Sequence, residues 1–138
     1  MSIERTILEA WGTHRPLAAV APLERVFAGP VPPPPADGQP TTVPYIALER
    51  LADVAQLRTS SRRGLSVEAL RMRVVAATLE AALEIAELAR RRFTAFGGDM
   101  TAGVIQDMRV VGQQHAPLEQ GLWEATLEWQ VRVSRDPA

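Results

Sequence analysis

Residues Trp123–Val133 read WEATLEWQVRV, with apolar side chains at every odd position and polar ones at every even position. Successive side chains of a β-strand point to opposite faces, so this alternation predicts a strand with one face on a core and the other in water. We expect the apolar face to be buried, above all at Trp123, Leu127, Trp129 and Val131.

The clearest helix precedes this strand and spans Leu79–Phe96. Thr78 can cap its first turn, and the two glycines after Phe96 can supply a left-handed stop. At about 100° per residue, one stripe of the helix is apolar and should pack on a sheet. The stripe consists of Leu79, Ala82, Leu83, Ala86, Ala89, Phe93 and Phe96. Three of these should be buried: Leu83, Ala86 and Phe93.

Three further strands are predicted, at Val43–Leu51, Val67–Ala77 and Gly103–Gly112. The first two should form a hairpin around a polar, basic loop at residues 52–66. Residues 113–121 should make the turn into the last strand.

The N-terminus reads as helical. Ile3–Trp11 has apolar residues at helical spacing, with Ser2 as its N-cap and Gly12 as its stop, and Pro16–Val26 suggests a second short helical stretch. The element order predicts one α+β domain over residues 1–138. We expect an antiparallel sheet of about four strands with two helices packed on one face.

The composition excludes several classes of protein. The 138 residues carry 15 basic and 16 acidic side chains, a net charge of -1, whereas a domain devoted to duplex nucleic acid normally has a basic excess. There is no cysteine, which excludes disulfides, thiolate metal sites and a cysteine nucleophile. No apolar run approaches the roughly 20 residues that cross a bilayer, so no membrane partner is expected.

Residues 29–42 read GPVPPPPADGQPTT and are rich in proline, unlike the rest of the chain. Consecutive prolines fix the backbone and remove amide donors, so this stretch predicts an extended, polyproline-like loop. It is either a stiff spacer across the surface or a ligand for a proline-binding domain.

No arrangement of residues predicts catalysis. His14 and His115 lack the spacing of metal ligands, and Ser60 and Ser61 have no neighbouring base. Three glutamates lie on the solvated face of the long helix and lack the shielded pocket that catalytic carboxylates need: Glu80, Glu84 and Glu87. We therefore expect a non-enzymatic protein with no cofactor and no metal.

Three stretches carry a resemblance to a known family. Leu23–Phe27 leads through the proline loop into Val43–Leu48, which contains Pro-Tyr and begins a strand. Leu70–Phe96 follows as strand and helix, and Gly121-Leu122-Trp123 opens the alternating last strand. In order and size, the chain resembles the tail terminator (tail completion) proteins of long-tailed bacteriophages.

The resemblance implies a subunit of a ring, typically a hexamer, that caps the head-proximal end of a tail tube. There it would stop tube polymerisation and offer the surface that joins the head, after assembly in the bacterial cytoplasm. Its partners would be itself, the major tail tube protein and a head–tail connector, with at most passing contact with DNA. The alternatives are a head–tail connector of a phage or gene transfer agent, and a small binding module that uses the proline loop.

Two segments are the expected interface elements of such an assembly, because they are long and lie outside the predicted core. In the loop at 52–66 the candidates are Arg58, Arg62 and Arg63, facing acidic groups of a neighbour. In the proline loop they are Pro32, Pro33 and Pro34.

Overall fold

The computed structural model describes residues 2–29, 42–51, 65–101 and 103–135. Over these residues the chain forms an α+β fold with three α-helices and one six-stranded sheet. The helices are α1 (Ile3–Thr13), α2 (Arg15–Val20) and α3 (Leu79–Phe93), with single 3₁₀ turns at Leu23–Arg25 and Glu119–Gly121. The strands are β1 (Val26–Ala28), β2 (Tyr45–Arg50), β3 (Leu65–Ala76), β4 (Gly98–Met100), β5 (Gly103–Pro117) and β6 (Trp123–Arg135).

The strand order is β1-β2-β3-β6-β5-β4, with β3 and β6 at the centre. All neighbouring strands are antiparallel except β1 and β2, which are parallel. The expectation of about four antiparallel strands was therefore too simple. The two strands that it missed, β1 and β4, have three residues each, too few to show a period-two pattern.

The alternation of β6 is confirmed. Leu127, Trp129 and Val131 are fully buried on the side that carries the helices. Trp123 is only half-buried, because it begins the strand and pairs with the last residues of β3 and β5. On the other face Thr126 is also buried, and its hydroxyl donates to Glu124 Oε1 at 3.2 Å.

Helix α3 begins as predicted, with the Thr78 hydroxyl accepting a hydrogen bond from the Ala81 amide. It ends at Phe93 instead of Phe96. The chain turns where Ala95 adopts a φ of +61°, with its N–H donating to the Met108 carbonyl of β5 at 2.8 Å. The helix is therefore stopped by a tertiary hydrogen bond and not by the glycines that follow.

The buried face of α3 also differs from the predicted stripe. The buried residues are Ala82, Ile85, Ala86, Ala89 and Phe93. Ala86 and Phe93 are confirmed, whereas Leu83 is only half-buried and Ile85 takes a core position. The contact face is turned toward Ile85 relative to the stripe drawn from the sequence.

Helix α1 is confirmed with its Ser2 cap, which accepts from the Arg5 amide at 3.2 Å, but it runs through Gly12 to Thr13. Trp11 is buried at its end, and the indole N–H donates to the Ala21 carbonyl at 2.9 Å. The predicted second helical stretch is an α-helix only over Arg15–Val20, before the 3₁₀ turn and β1.

Strand β5 continues past the predicted end at Gly112 to Pro117, through two register shifts, at Ile105/Asp107 and Val110/Gly112. Its second half pairs with the first half of β6, so most of the predicted turn is strand. The reversal itself is short and uses positive φ angles at Gln120 (+63°) and Gly121 (+75°).

Four aromatic rings join the helices to the sheet. The Phe93 ring lies 6.2 Å from Trp11, 5.2 Å from Phe96 and 6.4 Å from Trp129, centroid to centroid. Phe93 thus connects α1, α3 and β6 in one cluster, and such ring pairs add to the stabilisation from burial.

We predict that Phe93→Ala lowers the free energy of unfolding by about 3–5 kcal/mol, because it removes this central ring and leaves a cavity. Urea denaturation followed by circular dichroism measures the change. Glu84→Ala, on the exposed face of the same helix, is the matched control and should change stability by less than about 0.5 kcal/mol. A similar loss in both variants would contradict the packing described.

Candidate interaction surface

The sheet has one face covered by α1 and α3 and a second, polar face that we call the outer face. The register brings three outer-face charges into one row across three strands: Glu49 of β2, Arg71 of β3 and Glu128 of β6. In the next rows, Arg73 lies opposite Thr126, and Val75 lies opposite Glu124. The arginines of β3 are therefore flanked by glutamates of β2 and β6.

Arg73 is the centre of this arrangement. Its Nη1 lies 3.1 Å from Glu49 Oε1, and its Nη2 and Nε lie 2.8 and 3.0 Å from Glu124 Oε2. Burial by itself would lower the pKa of the Arg73 guanidinium, but its hydrogen bonds with Glu124 and Glu49 outweigh burial and raise that pKa. One side chain thus links β2, β3 and β6 across the outer face.

Arg71 makes a longer ion pair, 3.3 Å from Nη2 to Glu128 Oε1. Its Nε is buried and has no hydrogen-bond partner among the described residues. Beside it lies a shallow polar pocket of about 280 Å³. The pocket is lined by Glu49, Arg71, Arg73, Gln114, Glu124 and Thr126.

The outer face has no excess of positive charge among the described residues. The register directs five acidic and four basic side chains to it. They are Glu49, Asp99, Asp107, Glu124 and Glu128 against Arg71, Arg73, Arg109 and Arg132. A face without a basic excess does not concentrate an anion such as a nucleic-acid backbone.

A second ion-pair group lies on the helical side of the sheet. Arg50 Nη2 is 2.6 Å from Glu4 Oε1, and Nη1 is 3.4 Å from Glu68 Oε1. These contacts tie the first turn of α1 to β2 and β3. Their role is to position α1 on the sheet.

The arginines at the end of α3 are engaged within the helix. Glu87 accepts from Arg90 at 2.6 and 2.9 Å and from Arg91 at 3.1 Å. The Arg90 hydrogen bonds, with a smaller contribution from Arg91 and against some desolvation, lower the pKa of Glu87 to about 2. The Arg92 guanidinium lies over the Phe93 and Phe96 rings, 5.6 and 5.2 Å from their centroids.

The interface residues expected from the sequence all lie outside the described residues. They are Arg58, Arg62, Arg63, Pro32, Pro33 and Pro34. Their role stays a prediction.

The histidines lie in separate elements. His14 joins α1 to α2, and His115 lies on the exposed second half of β5. Among the described residues, no group of three or more His, Cys, Asp or Glu is arranged to hold a metal. No helix in the described part of the chain is long and apolar enough to span a membrane.

Sequence reasoning missed the ion pairs of the outer face, although the alternation of the last strand placed Glu124 and Glu128 on a polar face. The partners are far apart in the chain: Arg73 and Glu49 are 24 positions apart, and Arg73 and Glu124 are 51. Only the strand register brings them together, so alternation was the one signal available beforehand.

The fold is similar to that of a chain in the solved virion of a native gene transfer agent particle, with a TM-score of 0.76. The two chains share 18% sequence identity, and the alignment covers 96% of this chain and 95% of the other. At that identity the similarity establishes a common fold over almost the whole length. No protein-family model and no curated protein sequence matches this chain.

We predict that Arg73→Ala lowers the free energy of unfolding by about 1–2 kcal/mol, since it leaves half-buried Glu124 and Glu49 without their shared cation. The control is Arg109→Ala on the same face, where an exposed guanidinium bonds only Gln130 among the described residues. That variant should lose less than about 0.5 kcal/mol. Urea titrations at low and high salt measure both, and equal losses would rule out a central role for Arg73.

A second prediction concerns the stability of α3 at low pH. The pKa of Glu87 is depressed from 4.5 to about 2, so its contribution to stability is present above pH 4.5 and is lost as the pH falls toward 2. In an NMR titration, Arg90→Ala should raise the Glu87 midpoint more than Arg91→Ala does, because Arg90 makes two hydrogen bonds. The reverse ranking would refute this assignment.

Proposed function

We propose that this chain is a structural component of a phage-derived virion, and that it acts as the tail terminator. The observation that carries the first step is the fold similarity to a chain of a gene transfer agent virion, which covers 96% of one chain and 95% of the other. Because almost every residue of both chains is included, the similarity concerns the whole subunit and not a widespread small motif.

The second step, from virion component to tail terminator, is supported by features of the sequence. Leu23–Phe27, the proline loop and Val43–Leu48 follow one another as in that family. Leu122 leads from the final turn into Trp123 and the alternating strand β6, again as in the family. On this proposal six subunits form a ring at the head-proximal end of the tail tube, in contact with the tube protein and a head–tail connector.

A non-catalytic role agrees with how the charged side chains of the described residues are used. The best candidates for acid–base chemistry on the outer face, Glu49, Glu124 and Glu128, are held in ion pairs with Arg71 and Arg73. The outer face is therefore suited to a structural role or to protein contact.

Removal of the chain from cells that produce the particle tests this function. A tail terminator that is missing leaves tube growth unchecked, so electron microscopy should show overlong tubes without attached heads. Supplying the wild-type chain in trans should restore tubes of uniform length joined to heads.

Two other outcomes would contradict the proposal. Tubes of normal length that stay unjoined to heads would favour a head–tail connector. Complete, normal particles would exclude an essential role at this junction.

A further inference from the structure

Among the residues that the structure describes, the second half of β5 has an edge with no partner strand, which we call the open edge. Strand β4 pairs with β5 only over Gly103–Ile105, and Ala95 donates one hydrogen bond to Met108. From Arg109 to Pro117, β5 is paired with β6 alone among the described residues. All residues from Gln113 to Pro117 are exposed.

Two hydrogen bonds show which backbone N–H and C=O groups of β5 point to this edge. The Met108 carbonyl accepts from Ala95, so it points away from its partner Val131 on β6. In antiparallel pairs this orientation alternates, so the odd residues of β6 bond β3 and the even residues bond β5. A second hydrogen bond gives the same result: the Ala69 carbonyl of β3 accepts from the Leu51 amide, so it points away from Gln130, its partner on β6. Gln130, an even residue, therefore bonds β5.

It follows that Gln114 and Ala116, opposite even residues of β6, direct their backbone groups to β6. Gln113 and His115 direct theirs to the open edge. Pro117, which has no N–H, falls at an edge-facing position, where proline is tolerated.

This edge lacks the charged side chains that commonly protect edge strands from pairing, although a register shift at Val110/Gly112 interrupts it. Natural edge strands are commonly blunted by charges, by prolines or by short length. Here the nine residues from Val110 to Leu118 carry no Asp, Glu, Lys or Arg, and the only proline comes near the end. The free edge therefore offers extended, uncharged backbone to a partner strand.

The opposite end of the sheet offers a complementary edge at β1. The Gly29 amide donates to the Leu48 carbonyl, so Phe27 and Gly29 face β2, and Ala28 directs its N–H and C=O away from the sheet. Beside this edge lies a groove of about 440 Å³ between β1 and α1. It is lined by Ser2, Glu4, Arg5, Leu8, Val26, Phe27 and Ala28.

We propose that the open edge of β5 in one copy pairs with the β1 edge of a second copy, in the groove beside α1. This rests on the ring of the proposed function and names the contact that builds it. Both edges have backbone groups with no partner among the described residues, and they lie at opposite ends of one sheet. Each copy can therefore pair with one neighbour through β5 and with another through β1. Such a heterologous contact closes into a ring when its rotation allows, and strand addition supplies its affinity through the main chain.

Cross-linking in the assembled particle tests this pairing. Because the chain has no cysteine of its own, only introduced cysteines of this chain can react. A chain with both Gln113→Cys and Ala28→Cys, treated with a short bifunctional maleimide, should give a covalent ladder beyond the dimer. Each single variant should give no cross-link between copies.

Two results would overturn the proposal. Dimers from Gln113→Cys alone would mean that two β5 edges meet about a two-fold axis. Absence of any ladder from the double variant would mean that these edges do not meet.

A second pair of variants separates loss of pairing from loss of folding. His115→Pro removes one edge-facing N–H, as Pro117 already does, and should abolish the ladder in the cysteine background with an unchanged urea midpoint. His115→Ala keeps the N–H and should keep the ladder. A ladder that survives His115→Pro would contradict strand pairing.

The outcome is independent of the role in tail length. Overlong tubes on removal of the chain, with no ladder, would reject the edge pairing and leave the tail-terminator function standing. A ladder in particles that contain the chain, together with normal tails when the chain is removed, would support the edge pairing and reject the tail-terminator function.

Discussion

The structure depends on the register of β6 between β3 and β5. This strand is bonded on both sides, and its odd side chains form the part of the core on which α3 packs. A slip of one residue in either ladder would carry Trp129 to the outer face and Glu128 into the aromatic cluster around Phe93. The cost of burying that carboxylate without a partner is far larger than any single gain, so the register is strongly specified.

The same register decides what the surface can do. It sets Arg73 between Glu49 and Glu124, so that ion pairs on the outer face hold β2, β3 and β6 together. Within the described part of the chain, unused hydrogen-bonding capacity is left at the two ends of the sheet, at β5 and at β1. Contacts through main-chain groups do not require particular side chains, which is compatible with a shared fold at 18% identity to a gene transfer agent virion chain.

The candidate surface could be predicted only in part from the sequence. Alternation in the last strand assigned Glu124 and Glu128 to a polar face, because a period of two is a local property. Which acid forms an ion pair with which base could not be predicted from the sequence, since the pairs join strands far apart in the chain. The open edge was missed for a related reason: the stretch after Gly112 has weak alternation and is held as a strand by β6.

The sequence by itself determined the elements whose signals are local: β6, the β2–β3 hairpin, and the starts of α1 and α3 at their Ser2 and Thr78 caps. Tertiary structure decided the rest: the three-residue strands, the parallel pairing of β1, and the end of α3 near Ala95. In each of these the deciding hydrogen bonds come from a distant segment, as when the Ala95 amide meets the β5 backbone. Periodicity and capping act within a few residues, whereas sheet edges and helix ends are fixed by whichever partner satisfies the last backbone groups.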